Sequence, residues 1–394
     1  MIRRTLTVVA AVLVATMLRP ATSWGQAPSP PLEINAILSL TGQGTFVGTG
    51  QQQALQIAEG AINRAGGING RPVKFVIKDD QTNPQVAIQL LQALIAQKAS
   101  VVLGPSLAGS CNALTPLVQT NGPVLYCLTA GVKPPAGGYV FSTLSSTPDM
   151  IAMALGYFRE RGWKKVGYIV TTDAGGQDAE AGIVGAVTAL QARGVEIVDR
   201  EHFAPTDLSV AAQVAKLKAA QPDAIVAWVT GTAAGTVLHG LHDTGVDVPV
   251  MLSPGNMTGA FVKQYGTVLS DKMFLPITAF YGGTTGVQAA TRGAMTAFAD
   301  AYRAAGATPD QLAVSAWDPA MLVADALRKN GADAPASKLR DYLVNLKGWT
   351  GVNGPFDFKA LPQRGVGQTS LIMVRWDAEH GAFIPSSKAG GKPL

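Results

Sequence analysis

The sequence predicts an α/β protein made of two doubly wound lobes, each with a parallel sheet between layers of helices. Three observations carry this prediction. Segments typical of strands and of helices alternate along the chain, and parallel neighbours in a sheet need crossover connections between them. The alternation runs through one series and starts again after Pro148. The 394 residues are also too many for one ordinary compact core, because a domain has about 100 to 200 residues.

The first series combines short apolar segments, typical of buried strands, with segments of helical spacing. Its first helix carries Leu55, Ala58 and Ile62 on one face. The second begins at Asn83, an N-cap residue that is followed by a proline suited to the first helical turn. We predict strands at 32–40, 73–78, 101–103 and 124–126, and helices at 51–65 and 83–98.

The second series repeats this pattern beyond Pro148. Apolar runs bounded by Gly, Asp and Pro predict the strands, and longer Ala-rich and Leu-rich segments predict the helices. We predict strands at 165–170, 195–198, 224–229 and 250–252, and helices at 148–161, 178–193, 209–220 and 233–245.

The N-terminus has the form of a secretory signal peptide at residues 1–27. Arg3 and Arg4 precede an apolar run at 6–18, and small residues that permit cleavage follow up to Ala27. That run is too short to span a bilayer. We therefore predict export to the periplasm.

The charge of the chain gives no basis for nucleic-acid binding. Residues 1–27 hold three basic and no acidic side chains, so cleavage after Ala27 would reduce the formal charge from +5 to +2. No later cluster of Lys and Arg is interleaved with aromatic residues, which is the pattern that nucleic-acid binders show.

Small and polar residues concentrate where the predicted strands end. In open parallel sheets, ligands bind beyond the carboxyl ends of the strands, where loops and helix N-termini meet. Half of these segments come from each series, which predicts a binding cleft between two lobes. The segments are 41–50, 104–110, 129–132, 171–177, 229–231 and 253–257.

Two glycine-rich motifs resemble enzyme signatures without matching them. The glycines at Gly42, Gly44 and Gly48 have one residue too many for a dinucleotide fingerprint, and the acidic Asp79-Asp80 lies too far along the chain. Around Ser106, a nucleophile elbow would need a second glycine at the position of residue 108. The first motif is better explained by a turn that lets backbone approach a ligand, and the second by a helix N-terminus.

The histidines give no metal site or catalytic base. His239 and His242 could share one helix face, but no further ligands converge on them, and an exposed helix face is the default interpretation. We predict no metal, no cofactor and no reaction centre.

Both cysteines, Cys111 and Cys127, lie in the exported part of the chain. An oxidising compartment permits a disulfide between them. Two buried free thiols are the alternative, because sequence does not show whether the two Cα atoms lie within reach.

Several motifs give the chain a family resemblance. The sequence reads S-L-T-G-x-G after the first strand, then I-N-x-A-G-G-I-N-G-R, D-D-Q-x-x-P and V-V-L-G-P-S. With these motifs it resembles the exported leucine/isoleucine/valine-type substrate-binding proteins of ABC transporters, from residue 32 to at least residue 385. The aromatic-acid-binding members look most similar, in the stretches S-C-N-A and Y-C-L.

The resemblance implies a type I periplasmic binding protein fold, whose chain crosses between the lobes three times. The crossings would fall near 145–148, 276–280 and 351–358. The first lobe would comprise 32–147 plus 280–350, with helices at 288–305 and 316–329. The second would comprise 148–276 plus 355–390, with a strand at 370–376.

The resemblance also implies the binding site. In the family, hydroxyls and backbone N–H groups of two first-lobe loops hold a ligand carboxylate, and the second lobe covers the ligand body. The expected ligand-binding residues are Phe46, Val47, Ser106, Ala108, Gly109, Ser110, Thr129, Ala130, Gly131, Gly176, Gln177, Trp228, Thr230, Asn256 and Met257.

Family members that bind amino acids place an acidic residue on the loop that reads 253–257 here, and this chain has none there. Burying an ammonium without a counter-charge costs several kcal/mol. A free amino acid is therefore disfavoured unless Asp173 or Asp178 reaches the cleft. We expect a small organic acid with an apolar or aromatic body.

The resulting prediction is a monomeric binding component that captures its ligand without chemistry and delivers it to an ABC permease in the inner membrane. A branched-chain amino acid or an amide is the alternative ligand, and a ligand sensor of the same fold is the alternative role.

Overall fold

The computed structural model describes residue 1 and residues 30–190, 194–283 and 287–394. The predicted signal peptide, apart from residue 1, and the end of the helix predicted at 178–193 lie outside these residues. Among the described helices, none is long and apolar enough to cross a membrane.

The first lobe is built on a five-stranded parallel sheet. Its strands are β1 Leu32–Leu38, β2 Val73–Asp79, β3 Val101–Leu103, β4 Val124–Cys127 and β5 Val140–Ser142, in the order β2-β1-β3-β4-β5. Its first helices are α1 Thr45–Arg64, α2 Pro84–Ala96 and α3 Ala108–Val118. Sequence analysis missed β5, which is only three residues long. It also placed the start of α1 six residues too late.

The second lobe is built on a seven-stranded sheet in the order β14-β13-β10-β9-β8-β6-β7. Five of the strands are parallel: β6 Lys165–Thr171, β7 Glu196–Phe203, β8 Ala224–Trp228, β9 Val250–Leu252 and β10 Met273–Thr278. The two strands at one edge, β13 Leu371–Asp377 and β14 Ala382–Pro385, run antiparallel to their neighbours. The sheet is therefore mixed, as is common when an antiparallel edge completes a parallel sheet.

Helices cover both faces of the second sheet, and each face has its own apolar core. One core includes Met150 and Phe158, and the other includes Val237 and Phe261. The helices are α4 Thr147–Glu160, α5 Ala174–Leu190, α6 Ala211–Ala219, α7 Thr232–Asp243 and α8 Gly259–Tyr265.

Three later helices pack into the core of the first lobe. They are α9 Ala289–Ala304, α10 Gln311–Asn330 and α11 Ala336–Val344. Phe298, Trp317 and Leu339 lie in one apolar cluster with residues of β1 and β3. The helix predicted at 316–329 begins earlier, at Gln311, because the Asp310 carboxylate accepts the Ala313 N–H (2.9 Å) and caps it.

The third crossing comes later than residue 355. After the hairpin of β11 Lys347–Gly351 and β12 Gly354–Asp357, the side chains of Phe356, Phe358 and Val366 still lie in the first-lobe core. The chain enters the second sheet only at Leu371. The boundary predicted at 355 thus needs correction, because aromatic burial keeps this stretch with the first lobe.

A disulfide joins Cys111 in α3 to Cys127 at the end of β4, with the two Cα atoms 6.1 Å apart. Both residues are fully buried. The bond fastens the first half of α3 to the sheet. It therefore helps to hold the helix whose first turn faces the other lobe.

Candidate functional site

A cavity of about 160 Å³ lies between the two lobes. First-lobe loops after β1, β3 and β4 line it on one side, and second-lobe loops after β6, β8 and β9 line it on the other. An apolar cavity of about 150 Å³ can hold one benzene ring. The space therefore suits a ligand of about that size.

The first turn of α3 presents backbone donors to this cavity. Leu107 is the N-cap residue, and its side chain makes no capping hydrogen bond. The Leu107 carbonyl accepts the first hydrogen bond of the helix, from the Cys111 N–H (3.1 Å). The N–H groups of Ala108 and Gly109 precede that bond, and both residues line the cavity. The arrangement suits an anion, because a helix N-terminus carries partial positive charge.

The loop after β4 supplies the second group of backbone donors. Thr129, Ala130 and Gly131 all line the cavity. The Ser142 hydroxyl donates to the Thr129 carbonyl (2.6 Å), and the Arg364 guanidinium donates to the Ala130 carbonyl (3.2 Å). These carbonyls therefore face away from the site toward the protein. Sequence analysis missed Arg364, which lies in an irregular turn 234 residues away along the chain.

The second lobe contributes Gly176, Trp228 and Thr230 to the lining. Trp228 supplies an apolar wall at the end of β8. The hydroxyls of Thr230 and Ser253 hydrogen-bond to each other (2.7 Å), which places two polar atoms next to that wall.

Five of the expected ligand-binding residues do not line the cavity. Asn256 is 1% exposed and binds the backbone of its own lobe at Val229 and Gly231, so it holds loops together. Met257 packs against the core beside α8. Phe46 packs across the interface onto Phe261.

The other two expected residues outside the lining are Ser110 and Gln177. Ser110 is buried in the first turn of α3. The Gln177 amide donates to the Thr172 carbonyl of its own loop (3.0 Å). Both positions were expected from the family resemblance and from their place near a strand end, which do not fix where a side chain points.

Ser106 lines the cavity but its hydroxyl has a structural partner. The Ser39 N–H donates to the Ser106 Oγ (3.1 Å), and this bond joins the ends of β1 and β3. The hydrogen bond gives Ser106 a role in shaping the site. This favours the helix-terminus interpretation of the motif over the nucleophile elbow.

The acidic pair after β2 also has a structural role. The Asp79 carboxylate accepts the N–H groups of Leu40 and Gln81 and the hydroxyl of Thr41. Partial burial opposes ionisation, but these hydrogen bonds outweigh it and hold the pKa of Asp79 below its usual value. Asp80 accepts the Thr82 N–H (2.9 Å). The pair therefore shapes the loop that leads to α1.

Asp173 is the charged side chain among the described residues that line the cavity. Its Oδ1 accepts the Thr171 hydroxyl (2.8 Å) and the Gly176 N–H (3.0 Å), which makes it the cap of α5. Asp178 instead pairs with Lys133 of the first lobe (3.6 Å). A carboxylate thus reaches the cleft from the second lobe, which was the condition under which an amino acid remained a candidate.

The lobes are closed over the cavity. The Gln43 amide donates to the Pro205 carbonyl (3.2 Å), and the Gln311 N–H donates to the Met257 carbonyl (3.3 Å). At Gly231 a Cβ atom would overlap the Gln43 carbonyl of the other lobe. The structure is therefore a closed form with the lobes in direct contact.

The comparisons with known proteins agree with this two-lobed architecture. A family model described as periplasmic binding protein matches residues 31–382. The chain belongs to the periplasmic binding protein family. Among solved structures, a periplasmic binding protein type 1 from Bordetella pertussis superposes with a TM-score of 0.78 at 21% identity, covering 92% of this chain and 100% of that one. A benzoate-bound solute-binding protein from Rhodopseudomonas palustris has a TM-score of 0.77 at 19% identity, covering 92% and 97%.

Two sequence relatives of this periplasmic binding protein support the same family. The Leu/Ile/Val-binding protein homolog 3 of Brucella melitensis is 25% identical over 248 residues, 62% of this chain and 66% of that relative. The chemotactic signal transduction system substrate-binding protein BasB of Halobacterium salinarum is 34% identical over 98 residues, 24% of each chain. The matches span less than two thirds of either relative. The family model and the solved structures confirm the fold class and the family that the sequence motifs predicted.

Proposed function

We propose that this periplasmic binding protein captures a small carboxylic acid with an apolar or aromatic body. The observation that carries the proposal is that the cavity combines convergent backbone donors with apolar side chains. Backbone donors of α3 and of the loop after β4 lie on the first-lobe side. The rest of the lining includes the apolar side chains of Val47, Leu107, Leu144, Trp228 and Leu312. A pocket with a few convergent polar groups on an apolar wall orients a ligand with one polar end.

The size of the cavity supports a ligand with a single ring or a short branched chain. A benzoate-type acid has about the volume of the ring that a 150 Å³ cavity holds. The benzoate-bound relative shares the fold of this chain.

Calorimetry on protein freed of bound solute tests the proposal. We expect micromolar binding of a benzoate-type acid and at least about tenfold weaker binding of its neutral amide, because hydrogen bonds to a charged acceptor are about twice as strong as neutral ones. Leucine is the matched competitor of similar size. Micromolar leucine binding with no response to aromatic acids would overturn the proposed ligand. A mass spectrum of the solute that co-purifies gives an independent answer.

A branched-chain amino acid is the second candidate, and Asp173 is the observation that favours it. Its carboxylate lies on the second-lobe side of the cavity, where it could partner an ammonium. If the ligand is an amino acid, Asp173→Asn should weaken leucine binding at least about tenfold, since the buried ammonium loses its counter-charge. If the ligand is a simple acid, the same substitution should leave binding unchanged or tighter.

We further propose that the protein works as an exported monomer that passes its ligand, chemically unaltered, to an ABC permease of the inner membrane. The family supports a binding role, and the signal-like N-terminus supports export. Delivery of radiolabelled ligand into vesicles that contain the permease tests the transport role. A protein that binds the ligand yet never stimulates uptake would instead favour the sensor role, which the chemotactic relative also suggests. Conversion of the ligand during incubation would contradict a role without catalysis.

A further inference from the structure

Arg364 is a buried cation behind the loop that follows β4. It is 8% exposed, and its guanidinium donates to four oxygens of the first lobe and the first crossing. These are the carbonyls of Ala130, Val132 and Leu144 and the hydroxyl of Ser142. Burial lowers the pKa of Arg364 to about 10, so the side chain stays charged at neutral pH.

The charge of Arg364 has no carboxylate within ion-pair distance among the described residues. Asp149 and Asp178 act on it only from farther away. Buried charges in proteins are ordinarily paired. Neutral carbonyls and one hydroxyl satisfy its hydrogen bonds here, so the positive charge has no directly bonded carboxylate among the described residues.

The hydrogen bonds of Arg364 also set the direction of the loop peptides. In a trans peptide the C=O and the following N–H point in opposite directions. Arg364 holds the Ala130 carbonyl, and Ser142, which accepts from Arg364 (2.9 Å), holds the Thr129 carbonyl (2.6 Å). The N–H groups of Ala130 and Gly131 must therefore face the opposite side, which is the side of the cavity that these residues line.

The backbone on both sides of Arg364 has an uncommon conformation that is fixed by hydrogen bonds. Gln363 has a φ of 59° and Gly365 a φ of 75°, so Arg364 lies between two residues in the left-handed region. The Gln363 amide is fixed on both sides, donating to the Gly138 carbonyl (3.0 Å) and accepting the Gly137 N–H (3.0 Å). A non-glycine residue in this backbone region is uncommon and persists only where the surroundings enforce it.

We propose that Arg364 is a positioning residue that makes the site selective for a ligand with a negatively charged end, by aiming and polarising the peptides that bind it. It does so from behind the loop, without touching the ligand. The inference rests on the proposed function in one respect, namely that the ligand carries a carboxylate. It does not depend on whether the body of the ligand is aromatic or whether an amine is present.

The affinity ratio between a carboxylic acid and its neutral amide separates this role from a purely structural one. Arg364→Gln removes the charge, and we expect it to weaken benzoate binding about tenfold or more, since a charge several ångströms away still acts strongly where water is excluded. Benzamide binding should change by less than about threefold. Arg364→Lys keeps the charge and should retain much of the preference for the acid. An equal loss of affinity for both ligands, or no loss for the acid, would overturn the proposal.

Two further variants keep the test valid if Arg364→Gln does not fold. Ser142→Ala removes the relay to the Thr129 carbonyl without changing any charge, and it should lower the acid-to-amide ratio by a smaller factor than Arg364→Gln. Arg375→Gln is the matched control, because it removes one positive charge from β13, outside the residues that line the cavity. The ratio should stay at its wild-type value in this control. A Ser142→Ala protein with an unchanged ratio would count against the proposal.

Failure of the proposed ligand can be told apart from failure of this inference. If the wild type binds leucine and ignores benzoate, the same comparison is made with leucine and leucinamide, and the expected change in ratio is the same. A wild type that binds a neutral solute more tightly than any carboxylate would overturn both ideas.

Discussion

Gly231 offers a direct test of whether the closed form is the binding form. This residue is the N-cap of α7, with φ 74° and ψ −143°, a conformation that is nearly exclusive to glycine. In the closed form a Cβ atom on residue 231 would overlap the Gln43 carbonyl of the first lobe. Gly231→Ala should therefore prevent full closure while leaving each lobe folded.

The size of the effect follows from the contacts that closure makes. Relieving the overlap separates the lobes enough to break the Gln43–Pro205 and Gln311–Met257 hydrogen bonds, each worth about 0.5 to 1.5 kcal/mol. A loss of about 2 kcal/mol in the closed form alone corresponds to about 30-fold weaker binding. The backbone strain of alanine should cost about 1 to 3 kcal/mol of folding stability in addition.

Calorimetry and small-angle X-ray scattering together measure this prediction. Gly245→Ala is the matched control, since Gly245 also has a positive φ, of 63°, but its nearest neighbour is the Lys218 Nζ at 3.7 Å in the same lobe. The control should be destabilised in thermal melts yet bind normally and compact on adding ligand. If Gly231→Ala bound and compacted as well as Gly245→Ala, the closed form would not be the state that holds the ligand.

Three other perturbations have defined outcomes. The Lys133–Asp178 ion pair joins the lobes, and its side chains are 74% and 10% exposed. Because an ion pair with an exposed partner contributes little, Lys133→Met should weaken ligand binding by less than about fivefold. The difference in affinity from wild type should shrink at high salt. Reducing the Cys111–Cys127 bond, which closes a loop of 16 residues, should lower the free energy of unfolding by about 2 to 4 kcal/mol, as a denaturant titration with and without reductant would show. Burial raises the pKa of Asp310 to about 6, above its unfolded value of about 4. The wild type therefore loses stability as the pH rises between these two values. Asp310→Asn keeps the helix cap, so it should melt at a higher temperature than wild type at pH 7 and at the same temperature at pH 4. A melting difference that does not grow between pH 4 and pH 7 would contradict this last expectation.

Sequence reasoning predicted the loops that line the first-lobe side of the cavity. Ala108, Gly109, Thr129 and Gly131 all stand directly after parallel strands, and the carboxyl ends of such strands meet at one edge of the sheet. The structure places each of them in the cavity lining. The strand ends predicted the two loops, and the family resemblance implied the individual residues.

The residues that were misplaced or missed depend on side-chain packing across long separations. Asn256 has a polar side chain on a strand-end loop, yet it turns inward to satisfy the backbone at Val229 and Gly231. Arg364 has no periodic pattern around it, and its partners lie more than 200 residues earlier. The available signal was an arginine between Gln363 and Gly365, a few residues after a predicted crossing, which does not by itself indicate which carbonyls it holds.

The division of the site between the lobes sets an order of events. The α3 turn and the loop after β4 are held within the first lobe by the disulfide, by Ser142 and by Arg364, so these donors are in place before closure. The second-lobe wall at Trp228 reaches the ligand only when the lobes meet. The charged end should therefore dock first, and closure should add the second-lobe contacts, including Trp228. We therefore expect Gly231→Ala to keep a weak preference for acid over amide, because the docking of the charged end is intact. Arg364→Gln should lose that preference even though its lobes still close. A Gly231→Ala protein that bound acid and amide equally would show that charge recognition depends on closure, contrary to this order.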